Sequence, residues 1–85
     1  MIRYTVTWQP QAEADLAHLW MSAIDRQEVA QASDQIDRLL SIDSESQGGA
    51  VAEGLRRLEV HPLKVIFSVE KADRIVSVVS VRLIN

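Results

Sequence analysis

Residues 54–83, GLRRLEVHPLKVIFSVEKADRIVSVVSVRL, hold three consecutive runs of alternating apolar and polar side chains, separated by two turn signals. Alternation of period two marks strands, and three strands joined by short turns form a meander. His61-Pro62 divides the first run from the second, because Pro62 donates no amide hydrogen and holds the residue before it extended. Lys71, Ala72 and Asp73 make the second division. The last run has β-branched residues on both parities, Ile75, Val79 and Val81 against Val76 and Val78. A strand covered on both faces needs this pattern, so this run is expected at the centre of the sheet.

The residues before the meander carry one more alternation and two helical periods. In residues 2–8, Ile2, Tyr4, Val6 and Trp8 fall on one face and Arg3, Thr5 and Thr7 on the other, as in a half-buried strand. Pro10 suits a first helical turn, and Ala12, Leu16, Leu19, Trp20 and Ala23 follow at helical spacing, which predicts an amphipathic helix over 10–22. Asp25 with Glu28 has the form of a capping box, and Val29, Ala32, Ile36, Leu39 and Leu40 form the buried stripe of a second helix ending near Ile42. The short joint between the helices makes them an antiparallel hairpin. Residues 43–53, polar and interrupted by Gly48-Gly49, read as a mobile loop.

The expected fold is α+β, in the order β-α-α-β-β-β, with a helical hairpin on one face of a mainly antiparallel sheet. Eighty-five residues support one domain, 1–85, with too little material to cover both sheet faces. The uncovered face is therefore the natural place for a partner. The core is thin for an unstapled chain, and a permanent partner, including a second copy in a homodimer, would supplement it. The absence of cysteine fits the cytoplasm, and neither a leader nor a membrane-length apolar run is present. No metal-ligand spacing or phosphate-cradling glycine loop occurs, and no cofactor is expected.

Charge divides the chain. Residues 1–53 carry three arginines against nine carboxylates, a net −6, whereas residues 54–85 carry six cations against three carboxylates, a net +3. Positive potential should thus issue from the sheet half, where an anionic partner would dock. If Leu63, Val65, Phe67 and Val69 face the helices, Lys64, Ile66, Ser68 and Glu70 face away. Arg57, Lys64 and Arg82 then form an outward cationic cluster suited to phosphate, with Arg56 on the opposite side from Arg57. His61, whose ordinary pKa lies near neutrality, stands in the turn between two basic strands and is a candidate proton shuttle, or else a solvated turn residue. His18 reads as a surface or helix-packing residue of the first helix rather than a chemical one. Trp8 and Trp20 read as core or as lining of a partner groove.

In order and spacing, YTVTWQPQAEADLAHLW, GLRRLEVHPLKVIFSV and RIVSVVSVRL resemble the opening strand and helix, the Leu-Arg-x-Leu strand with its successor, and the closing strand of toxins of the RelE/ParE superfamily. The resemblance spans nearly the whole chain and implies a bacterial, plasmid-stabilising type II toxin-antitoxin module, with a cognate antitoxin as partner. One branch of that family cleaves messenger RNA on the ribosome. It implies catalytic roles for Arg57, Lys64 and Arg82, with His61 the substitute for a tail tyrosine that this sequence, ending at Asn85, does not contain. The other branch inhibits DNA gyrase by binding, which implies a target surface at Arg56, Arg57, Lys64 and Arg82 and is the preferred expectation. Antitoxins of the family wrap the toxin with an extended or helical segment, which implies contacts at the helical hairpin groove, with Trp20 and Leu16 at the contact, and at the open sheet face. Such toxins tend to be basic, while this chain has a pI of about 5.2. A third expectation is thus a non-toxic interaction module that kept the fold.

Overall fold

The computed structural model describes residues 3–43 and 47–84. Strand β1 spans Thr5–Trp8, helices α1 and α2 span Pro10–Ser22 and Arg26–Asp43, and strands β2 to β5 span Gly49–Ala52, Leu55–Val60, Leu63–Glu70 and Ile75–Leu83. They form one five-stranded sheet in the order β1-β5-β4-β3-β2. The β2-β3, β3-β4 and β4-β5 pairs are antiparallel, and β1 runs parallel to β5. This is the expected α+β architecture with one added strand.

Local chemistry explains most boundaries. Pro10 occupies the first turn of α1, where its missing amide hydrogen has no intrahelical acceptor to lose. Asp25 caps α2, its Oδ1 accepting the Glu28 amide at 3.1 Å. Ala12 of α1 and Val29, Ala32, Ile36 and Leu40 of α2 are buried against the sheet. Opposite them lie Leu58, Leu63, Val65, Phe67, Val76, Val78 and Val81. Tyr4, Val6 and Trp8 pack against the edge of this core. Ile2, assigned to the same face, lies outside the described residues.

Two expectations need correction. Residues 49–52, read as part of a mobile loop, are strand β2, paired with β3 through Gly49 opposite Arg57 and Ala50 opposite Arg56. Their polar, glycine-bearing context hid a short edge strand whose backbone pairing needs no buried side chains. Residues 44–46 of the same stretch lie outside the described residues. The mixed parity of β5 also has a different cause from burial on both faces. Ile66 opposes Ser80 while Phe67 opposes Val78, so Val79 is the extra residue of a β-bulge. The bulge reverses the alternation, and buried positions pass from Val76 and Val78 to Val81. Strand β5 is interior, flanked by β1 and β4, and β4 is the middle strand.

No helix among the described residues is long and apolar enough to cross a membrane.

Candidate functional site: a basic sheet face and an acidic helical groove

The side chains that alternate with the core define the outer face of the sheet. Register sets Glu59, Lys64 and Arg82 in one row across β3, β4 and β5. The next row holds Arg57, Ile66 and Ser80. Lys64 thus stands directly opposite both Glu59 and Arg82, and diagonally to Arg57, within reach of long side chains. Only the bulge brings Arg82 here. Without Val79 as an extra residue, Ser80 and Arg82 would turn toward the helices. The hydroxyls of Ser77 and Thr7 continue the surface toward β1 and lie 3.4 Å apart.

Two of the three cations have carboxylate partners. Arg57 Nε lies 3.6 Å from Glu59 Oε2, both side chains being about half exposed. Arg82 Nη1 lies 3.4 Å from Asp15 Oδ2 of α1. Asp15 reaches Arg82 because β1 ends early: past the hydrogen bond from the Gln9 amide to the Val78 carbonyl, α1 runs along the open edge of β5. Asp15 Oδ2 there accepts the Val81 amide at 3.3 Å, doing for one edge donor what a strand would have done. The Gln11 side-chain amide donates to Asp15, and this bond, with the Val81 amide and the Arg82 charge, holds the carboxyl below its ordinary value against the opposing effect of burial. The exposed Arg57–Glu59 pair contributes about 0–1 kcal/mol, so an anionic partner can displace Glu59 at small cost, whereas Asp15, whose side chain is 12% exposed, is held in place by the Val81 and Gln11 amides.

The remaining sequence-predicted residues lie elsewhere. Arg56 has the parity of Leu58 and points to the other side, where its guanidinium donates to the Gln47 and Gly48 carbonyls and ties down the approach to β2. His61 sits in the β3-β4 turn with Nε2 3.4 Å from Glu28 Oε1 of α2, so it leans toward the helical layer and away from the cationic row. His18 is exposed on α1. Sequence reasoning missed Glu59 and Asp15 as parts of the face. Glu59 was legible, since it shares the parity of Arg57, but Asp15 was not, because its partners are 66 and 67 positions away.

On the far side of the molecule, α1 and α2 splay apart around an open groove of about 660 Å³. Leu16, Ala17, Trp20 and Met21 form one wall, Val29 and Ala30 the other, and Trp8 contributes from β1. Trp8 Nε1 donates to Asp37 Oδ1 at 3.3 Å. Trp20 is 42% exposed, in place of the core position that was one of its two readings, and the Arg26 guanidinium lies 4.7 Å from its ring centroid. Met21 is 68% exposed and Ile24 fully so, which leaves a cluster of large apolar side chains at the hairpin tip in contact with water. No cluster of metal-ligating side chains forms among the described residues.

No protein-family model and no curated protein matches this sequence. Solved structures match its fold. The toxin-antitoxin complex RelBE2 from Mycobacterium tuberculosis superposes with a TM-score of 0.79 at 16% identity, covering 99% of this chain and 94% of that one. The chromosomal ParDE system from P. aeruginosa gives 0.74 at 17% identity, covering 98% of each chain. The YoeB dimer from Staphylococcus aureus gives 0.68 at 16% identity, covering 98% of this chain and 99% of that one. The chain has the fold of RelE/ParE-type toxins.

Proposed function

We propose that this protein is the toxin of a type II toxin-antitoxin module, acting in the ParE manner by binding a target such as DNA gyrase and held inactive by a cognate antitoxin. One observation carries the choice of binding over cleavage. The outer face sets Arg57, Lys64 and Arg82 in adjacent positions, while the one histidine near it, His61, is paired with Glu28 on another surface. A cationic surface stabilises bound negative charge. Cleaving RNA also requires a proton to be taken from the 2′-hydroxyl and another delivered to the leaving oxygen, and arginine, charged at all working pH values, does neither readily. The antitoxin is expected on the helical groove, with Leu16 and Trp20 among its contacts.

The second reading, ribosome-dependent cleavage of messenger RNA, draws on Glu59. Its carboxylate lies within the cationic row and is placed to serve as a base. Inducing the lone chain in bacteria decides between the two. Growth arrest with relaxed plasmid DNA, intact transcripts, and inhibition of purified gyrase supercoiling by the isolated protein is the expected outcome. An Arg57→Gln/Lys64→Gln/Arg82→Gln variant should restore growth while remaining folded. Newly cut transcripts with unaffected gyrase would overturn the first reading for the second, and normal growth would leave a non-toxic interaction module.

A further inference from the structure

The helical layer is acidic where the sheet face is basic. Residues 10–43 contain two arginines, Arg26 and Arg38, against seven carboxylates. Three of those carboxylates, Glu13, Asp34 and Asp37, line the apolar groove. Arg26 at the hairpin tip is stacked on Trp20 and covers apolar surface. A segment seated between these walls buries Leu16, Trp20 and Met21 and meets negative charge on both sides.

We infer that the segment which fills this groove is a cationic amphipathic helix on a separate protein. The inference rests on the reading that the chain has a neutralising partner, and it specifies the chemistry of that partner's contact. A helix suits the groove because both walls are helix faces, and the sheet contributes to the lining only through Trp8 of the edge strand β1. An extended segment lying there would leave its own amides and carbonyls unpaired, whereas a helix satisfies them internally. The walls repeat at helical spacing, Glu13, Leu16, Ala17 and Trp20 on α1 and Ala30, Ser33, Asp34 and Asp37 on α2. Eight residues of helix span about 12 Å, so the occupant presents roughly two turns, with apolar anchors at i, i+3 or i+4, and i+7. Lysine or arginine on its flanks pairs with Glu13, Asp34 and Asp37. The same positive charge repels that segment from Arg57, Lys64 and Arg82, so the two faces sort their partners by sign.

A displayed library of helical segments of about 15 residues, selected on the immobilised full-length chain, tests this. Selected sequences should carry net positive charge and the i, i+3/i+4, i+7 apolar pattern. A synthetic peptide of the winning sequence should gain helicity on binding and shift tryptophan emission. Leu16→Glu should abolish its binding. Each exposed ion pair is worth roughly 1.5- to 5-fold, so Glu13→Lys/Asp34→Lys, which replaces attraction with repulsion at two positions, should weaken it about tenfold or more. Circular dichroism would check that both variants fold. Neutral or acidic winners, no groove-dependent winner, or an affinity unmoved by the double reversal would overturn the inference. Growth on induction reads the toxin proposal separately: arrest with acidic winners sinks only the groove chemistry, and normal growth with cationic winners sinks only the toxin reading.

Discussion

Replacing Val78, Val79 and Val81 one at a time by alanine tests the feature on which the outer face depends. All three are β-branched and lie in one strand, so each substitution loses the same strand preference, and differences among them report burial. Val78 and Val81 are 0% and 1% exposed, whereas Val79, the bulge residue, is only half-buried. Valine to alanine removes two methyl equivalents, about 1.6 kcal/mol of transfer free energy at ~0.8 kcal/mol each. The cavity left among Val65, Phe67 and the helices raises this to about 2–3 kcal/mol. Val79→Ala should cost about 0.5 kcal/mol. At roughly 0.05–0.15 kcal/mol per residue the whole domain is stable by about 4–13 kcal/mol, so either core substitution is a large fraction of the total. Urea unfolding, followed by far-ultraviolet dichroism and tryptophan emission, should show the midpoint falling by about 2 M for Val78→Ala and Val81→Ala. Val79→Ala should barely move it. Equal losses at Val79 and Val81 would mean unbroken alternation, with no bulge and with Arg82 turned toward the helices. The proposed cationic row would then not exist.

Two other substitutions probe particular contacts. Gly48 has φ +66°, and a Cβ there would fall on the Arg57 carbonyl oxygen, whereas Gly54 has φ +78° with open space around it. Gly48→Ala should therefore cost about 3 kcal/mol or more and Gly54→Ala only about 1 kcal/mol, read from thermal midpoints. Asp15 is held below its ordinary carboxyl value first by the Gln11 hydrogen bond, then by Val81 and Arg82. Because its folded pKa is depressed, its stabilisation is complete above the unfolded value and disappears as pH falls through the folded one. Asp15→Asn should thus be less stable than the parent at neutral pH, and the gap should close from about pH 5 downward. A gap that stayed constant in acid would mean that the Asp15 charge adds no stability.

How much of this was legible in the sequence differs residue by residue. Pro10 and the Asp25-Glu28 pair announced two helix starts, because capping is a contact between near neighbours. The outward parity of Arg57 and Lys64 followed from alternation alone, and the structure keeps it. Arg82 reached the same face by a bulge that the alternation did not reveal, since valines at 76, 78, 79 and 81 fit both a doubly covered strand and a strand that switches sides. The placement of His61 beside Glu28 was equally invisible, because a turn's sequence does not say which layer it leans toward.

By itself, then, the sequence determined the kind and order of the long elements, the separation of buried from exposed positions along β3, β4 and α2, and the division into an acidic helical half and a basic sheet half. These follow from periodicity and from interactions within a few residues. The parallel pairing of β1 with β5, the β2 edge, the bulge at Val79, the hold of Asp15 on the β5 edge and the groove between the helices were decided only when distant segments met. Each depends on register or shape between residues far apart in the chain, where many sequence-compatible pairings exist and the packing of one shared core selects among them.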